Sequence, residues 1–195
     1  DVSKQFLIQD SASAEEMLKR DIVNAISDKL EATILGSAAG SATMPAGIFN
    51  GVTPETKDIT YKRLVDMETA LEEANVAGNK CFIVSPSAKG ILKTTAKDAL
   101  YNVTDGGVHT CVGCAGCLME ENEVNGYPVY CTSNVTSKGV VMGHFEDFVI
   151  GQWGGIDLTV DPYTQAANGK VRLVINAYFD AKPRRTGSFQ KAILK

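Results

Sequence analysis

Between Ala14 and Leu35 the apolar positions fall four apart, at Leu18, Ile22, Ile26, Leu30 and Ile34, with Val23 beside them. A helix gathers such positions into one stripe, so the pattern predicts an amphipathic helix roughly 33 Å long at ~1.5 Å per residue. Ser13 followed by Glu16 predicts a capping box at its start, and Gly36 a left-handed stop at its end. The small-residue stretch GSAAGSATMPAGIFNG then reads as a loop crossing from one lobe to another. A second helix is expected from Thr60 to Val76, with Leu64, Met67, Leu71 and Ala74 on one face and Gly78-Asn79 as its stop. Cys81 to Val84 (CFIV) predicts a short buried strand. Ser85-Pro86 predicts the start of a short helix, because proline suits the first helical turn.

The pattern then changes. Thr94 to Asn122 holds Gly106, Gly107, Gly113 and Gly116 with no lasting period, which predicts a loop region. From Gly126 onward the chain reads as strands: YPVYCT, GVVMG, FEDFVIG, and the alternation of Ile156, Leu158 and Val160 with polar residues. Asn168-Gly169 signals a tight turn. Val171, Leu173, Ile175, Ala177 and Phe179 alternate along a long strand, and Phe189 to Leu194 predicts a last short one. Long helices before a run of strands make an α+β fold.

The composition narrows the function classes. Of 195 residues, 44% are hydrophobic and 22% charged, a globular balance rather than a disordered one. The net charge of -4 disfavours duplex DNA binding as the main task, since phosphate contacts call for excess Lys and Arg. No apolar run approaches the ~20 residues that span a bilayer. The start, DVSKQFLIQD, lacks a signal-peptide layout, so the sequons at Asn102 and Asn134 read as chance. Five cysteines, an odd number, predict reduced thiols in a cytoplasmic setting. The chain begins at Asp1, which leads us to expect a fragment or processed form.

Two clusters could carry chemistry. His109, Cys111, Cys114 and Cys117 lie on a Gly-rich stretch where thiolates two residues apart can converge on a soft metal, zinc or an iron–sulfur cluster. The fourth cysteine of a ferredoxin-type run is missing, and Cys131 falls in a predicted strand. The plainer alternative, a loop with small soft residues and no ligand, is favoured for a partial motif. His144 beside Glu146 and Asp147 could supply a base, but no nucleophile pattern accompanies it. Gly36 to Gly40 lacks the G-K-[ST] ending of a phosphate loop. Arg184-Arg185 after Pro183 reads as a basic surface turn.

Three segments, NGYPVYCTSNV, GHFEDFVIGQWGGIDLTVDPYT and GKVRLVINAYFDAKPRRTGSFQKAI, carry a resemblance to the major capsid proteins of tailed bacteriophages. Upstream, the long helix followed by PAGIFNG, and the strand CFIV followed by SPSAKGIL, keep the same family's order. The resemblance covers nearly the whole chain and implies the tailed-phage coat fold, shared with encapsulins and gene transfer agents. That fold has a discontinuous peripheral lobe (long helix and elongated sheet), mapped to residues 1–47 and 152–195, and an axial lobe (a sheet with flanking helices), mapped to 48–151. The family's N-terminal arm and extended hairpin would lie upstream of Asp1 and are expected to be absent from this chain. The cysteine stretch is not a family feature.

The function so implied is a non-enzymatic virion protein without cofactor, assembling with itself into hexamers and pentamers of an icosahedral shell. Scaffold, protease and portal proteins would be further partners, and the packaged DNA would be enclosed without specific recognition. Assembly would take place in the bacterial cytoplasm, with no membrane partner. The alternatives are an encapsulin-type nanocompartment shell and, from another class, a metal- or redox-binding protein built on Cys111, Cys114 and Cys117.

Overall fold

The computed structural model describes residues 1–9, 11–97 and 116–195, with the backbone alone for residues 7–9 and 11–15. The chain divides into two compact units, 1–31 with 150–181, and 32–149 with 182–195.

The first unit begins with β1 (Val2–Ser3) and α1 (Lys4–Gln9) and continues into α2 (Ser11–Ile34). Ser3 caps α1, its hydroxyl accepting the Phe6 N–H at 3.2 Å. The sequence pattern does not signal α1. α2 already runs at Ser11, so Ser13 lies inside the helix and cannot be its N-cap. The predicted stripe does form the less exposed face: Leu18, Ile22, Ile26 and Leu30 are half-buried, whereas Met17 and Val23 are exposed. The unit's sheet has the order β1-β7-β6, with β6 at Phe148–Asp161 and β7 at Lys170–Pro183. β1 pairs antiparallel with β7, Val2 opposite Val171, and Arg172 grips the Asp1 carboxylate through two N–H groups at 2.9 and 3.2 Å. Asn168-Gly169 is not a two-residue hairpin turn. Asn168 ends a 3₁₀ turn (Ala166–Asn168), and Gly169 closes it in the left-handed region at φ +62°.

The second unit holds the main core. α3 (Tyr61–Glu73) starts one residue after the expected Thr60, which caps it by accepting the Arg63 N–H, and stops three residues early, where Asn75 takes φ +51°. Its buried face is Leu64, Met67 and Leu71, while Ala74 is exposed. β2 (Cys81–Val84) and α4 (Pro86–Thr94) form where expected, and the Ser85 hydroxyl caps α4 by accepting the Ala88 N–H at 3.2 Å. The sheet runs β3-β4-β2-β5-β8, with β3 at Glu123–Val124, β4 at Tyr127–Cys131, β5 at Gly139–Gly143 and β8 at Phe189–Ile193. β2 and β4 are parallel, and the pairs β2–β5, β3–β4 and β5–β8 are antiparallel. All five residues of β5 are buried, which fits its unbroken apolar run. α3 packs on β5 and β8 over a core that includes Leu64, Leu71, Phe82, Val84, Leu92, Val140 and Met142.

Three features depart from the sequence reading. Gly36 is not left-handed; it is needed for space, since a Cβ there would lie 2.7 Å from the Ala32 carbonyl oxygen and one on Gly47 would lie 2.2 Å from the Gly36 oxygen. The loop after α2 is thereby stapled back on the helix end, Ile48 N–H to Ile34 O at 2.7 Å and Phe49 N–H to Gly36 O at 3.0 Å. Second, β8 belongs with β5, so 182–195 joins the second unit; the units divide at 31/32, 149/150 and 181/182, where the sequence reading divides at 47/48 and 151/152. Third, Asn125-Gly126 makes the tight hairpin, with Val124 opposite Tyr127 and φ values of +52° and +79° that suit a primed turn.

Candidate functional site

The metal candidates are not gathered into one described site. His109, Cys111 and Cys114 lie outside the described residues. Cys117 is half-buried and sits opposite Ala96 in an antiparallel bridge. Around it the chain is joined by Lys97 N–H to Gly116 O at 3.0 Å, Leu118 N–H to Thr95 O at 2.9 Å and Met119 N–H to Leu92 O at 3.2 Å. Leu118 and Met119 enter the core, so the region read as loop is anchored at both ends. Cys81 and Cys131 are free thiols on β2 and β4, and burial raises the Cys81 thiol above its ordinary pKa. Among the described residues no group of three His, Cys, Asp or Glu side chains is placed to hold a metal ion.

His144, Glu146 and Asp147 are near each other but serve the fold. The His144 ring shares a hydrogen bond with the Asn79 carbonyl (Nδ1, 2.8 Å) and packs on Gly78, where a Cβ would lie 2.5 Å from it. Its Nε2 lies 3.6 Å from the Glu146 carboxylate, which points into solvent. Asp147 accepts the hydroxyl of buried Ser188, and its carbonyl accepts the Arg184 N–H at 2.7 Å. A hydroxyl thus does lie beside a carboxylate, but the imidazole is turned to Asn79 and Glu146. The arrangement ties the turns before β2, β6 and β8 together and sets up no base-to-nucleophile relay.

The feature that stands out is β6. Every residue from Gln152 to Val160 is exposed, including Trp153 at 60%, Ile156 and Leu158 at 49% and Val160 at 56%. The strand ends the order β1-β7-β6, so one of its edges has no strand partner among the described residues. The Trp153 ring lies back along its own strand, and a Cβ on Gly151 would come within 2.8 Å of it. Gly154 takes φ +73°, and the apolar positions change parity there, from Trp153 to Ile156, Leu158 and Val160. At the strand's end Asp161 accepts the Tyr163 and Thr164 N–H groups at 2.8 and 3.1 Å and the Thr164 hydroxyl, and these bonds lower its pKa. Tyr163 stands out of that turn, 84% exposed. The sequence reading does not single out Trp153 or Tyr163. The available signal was the change of apolar parity across Gly154-Gly155, which marks a local irregularity in the strand.

A model of the phage capsid family matches residues 1–192, and the chain belongs to that family. It is 26% identical over 197 residues to a major capsid protein of Halomonas phage phiHAP-1, a match covering 98% of this chain and 30% of the relative. The chain therefore spans less than a third of that relative's length. Its fold is similar to the capsid of an empty GTA particle, at TM-score 0.67 and 15% identity over 100% of this chain and 70% of that one. It is also similar to the SrpI encapsulin of Synechococcus elongatus, at TM-score 0.59 and 12% identity over 98% and 70%. The mixed α+β architecture expected from the sequence is thus the one shared by capsid and encapsulin proteins.

Proposed function

We propose that this chain is the shell-building part of a major capsid protein, a structural virion protein whose copies assemble into the icosahedral head around phage DNA. The observation that carries this is β6, read with the family membership. A monomer rarely leaves a long apolar strand bare on an open edge, because it invites association. Native edges are usually blunted by Lys, Pro or shortness, and between Phe148 and Val160 the only charge is Asp157. Burial of Trp153, Ile156, Leu158 and Val160 would then come from neighbouring copies. Repeated symmetric contacts close a shell, and many contacts acting together give avidity.

On this reading the first unit serves as the peripheral lobe and the second as the axial lobe, and copies meet in hexamers and pentamers. The chain performs no catalysis and holds no metal. Its net charge of -4 suits a wall that encloses DNA without gripping it. Portal, scaffold and protease proteins are its further partners, and assembly takes place in the host cytoplasm. The test is electron microscopy of the full-length gene product, which should show rings, sheets or shells. Trp153→Ala combined with Leu158→Lys should abolish them while leaving the subunit folded. A wild-type product that forms none of these assemblies overturns the reading.

A further inference from the structure

The five-stranded sheet of the second unit is electrically polar across its width. At one edge, residues 116–137, containing β3 and β4, carry Glu120, Glu121 and Glu123 and no cation. At the other, β8 and the turn leading into it carry Arg184, Arg185, Lys191 and Lys195, with Glu55, Asp58 and Asp147 as the acidic residues placed beside them. Local pairing offsets little of this: Lys97 meets Glu120 at 3.7 Å and Lys195 meets Asp58 at 3.4 Å, both on the surface. Glu121, Glu123, Arg184, Arg185 and Lys191 form no ion pair among the described residues.

Neither edge is a long free strand. β3 is two residues long, and Pro54 and Glu55 cover the end of β8, Glu55 N–H reaching Ile193 O at 2.8 Å. Side chains rather than backbone are what these edges present. The anionic edge also offers Tyr130, 61% exposed on β4 and suited to anchor a contact. Its tip is the turn Glu121-Asn122, held at φ +46° and +65° by paired hydrogen bonds between Glu120 and Glu123, so the carboxylate is displayed on a fixed support.

We propose that copies of this chain dock head to tail through this sheet, the Glu121–Glu123 edge of one copy on the Arg184–Lys191 edge of the next. The inference rests on the self-assembly reading and names the contact within it. Two different, complementary surfaces make a heterologous contact, the kind that closes into rings when the rotation permits. Opposite charges steer the approach and fix the register, whereas identical edges meeting would repel.

The experiment is charge reversal, read by sedimentation velocity of the full chain at low and high salt, with thermal melting as the control for folding. Glu121→Lys with Glu123→Lys, and separately Arg184→Glu with Arg185→Glu, should each weaken association about tenfold or more. Both pairs of reversals in one chain should restore it, because each edge again meets its opposite. Added salt should weaken wild-type association. If a reversal lowers the melting temperature, the neutral pairs E121Q/E123Q and R184Q/R185Q replace it and should weaken association to a smaller degree. Folded variants that associate like wild type, or a combined variant no better than its parents, overturn the docking mode and leave the shell reading standing. A wild-type chain that associates under no condition removes both.

Discussion

The Tyr127 hydroxyl, at the start of β4, donates a 3.0 Å hydrogen bond to the carboxylate of Glu68 on α3. The same carboxylate accepts the Asn125 side-chain amide at 3.3 Å. One acid therefore ties the β3–β4 hairpin to the helix beneath it. Tyr127→Phe should destabilise the chain by about 1 kcal/mol, and Glu68→Ala, which strands two donors, by about 1–3 kcal/mol. A double-mutant cycle read by chemical denaturation should show coupling between the two; additive effects would show that the bond contributes nothing.

The same pair sets an alkaline limit. Burial, followed by the Glu68 bond and the charges of Glu68 and Glu72, raises the Tyr127 pKa. Below the ordinary tyrosine value of ~10, both folded and unfolded chains keep the proton and stability is full. As pH rises past that value the unfolded chain releases its proton first, and stability falls until the raised folded pKa is passed. Melting curves across this range should show a steeper loss for wild type than for Tyr127→Phe.

Acid should loosen the tip between β6 and β7. Hydrogen bonds from the Thr164 hydroxyl and from the Tyr163 and Thr164 N–H groups lower the Asp161 pKa, so the turn is supported above the ordinary carboxylate range and loses support as pH falls through the lowered value. Amide exchange at Tyr163 and Thr164, corrected for its intrinsic pH dependence, should lose protection there in wild type. In Asp161→Ala it should be unprotected throughout.

Hydrogen bonds join 92–97 directly to 116–119, so the two ends of the intervening stretch are held together by described residues. Substituting residues 98–115 by Asn-Gly should leave the melting temperature within about 4 °C of wild type. Leu118→Ala, by contrast, empties a fully buried site just beyond that junction and should cost about 2–5 kcal/mol. The shortened variant also removes His109, Cys111 and Cys114. Metal analysis of untagged wild type should find no stoichiometric zinc or iron; metal that is lost on Cys114→Ser would instead establish a site there.

Local order was readable in the sequence because its causes are local. The four-residue spacing from Leu18 to Ile34 is satisfied by a helix, Ser85-Pro86 begins one, and the alternation from Val171 to Phe179 is satisfied by a strand whose odd positions are half-buried. Pairing across the chain was not readable. Phe189–Ile193 has strand character by itself, but only the β5 partner assigns it to the second unit. Gly36 looks like a helix stop, and only the return of Gly47 against it reveals a glycine required for close approach. Ile156, Leu158 and Val160 look like one face of a buried strand, and only the sheet order leaves them at an open edge. Periodicity records which residues share a face, whereas tertiary structure decides what that face meets, and the sheet order leaves one edge of β6 without a strand partner among the described residues.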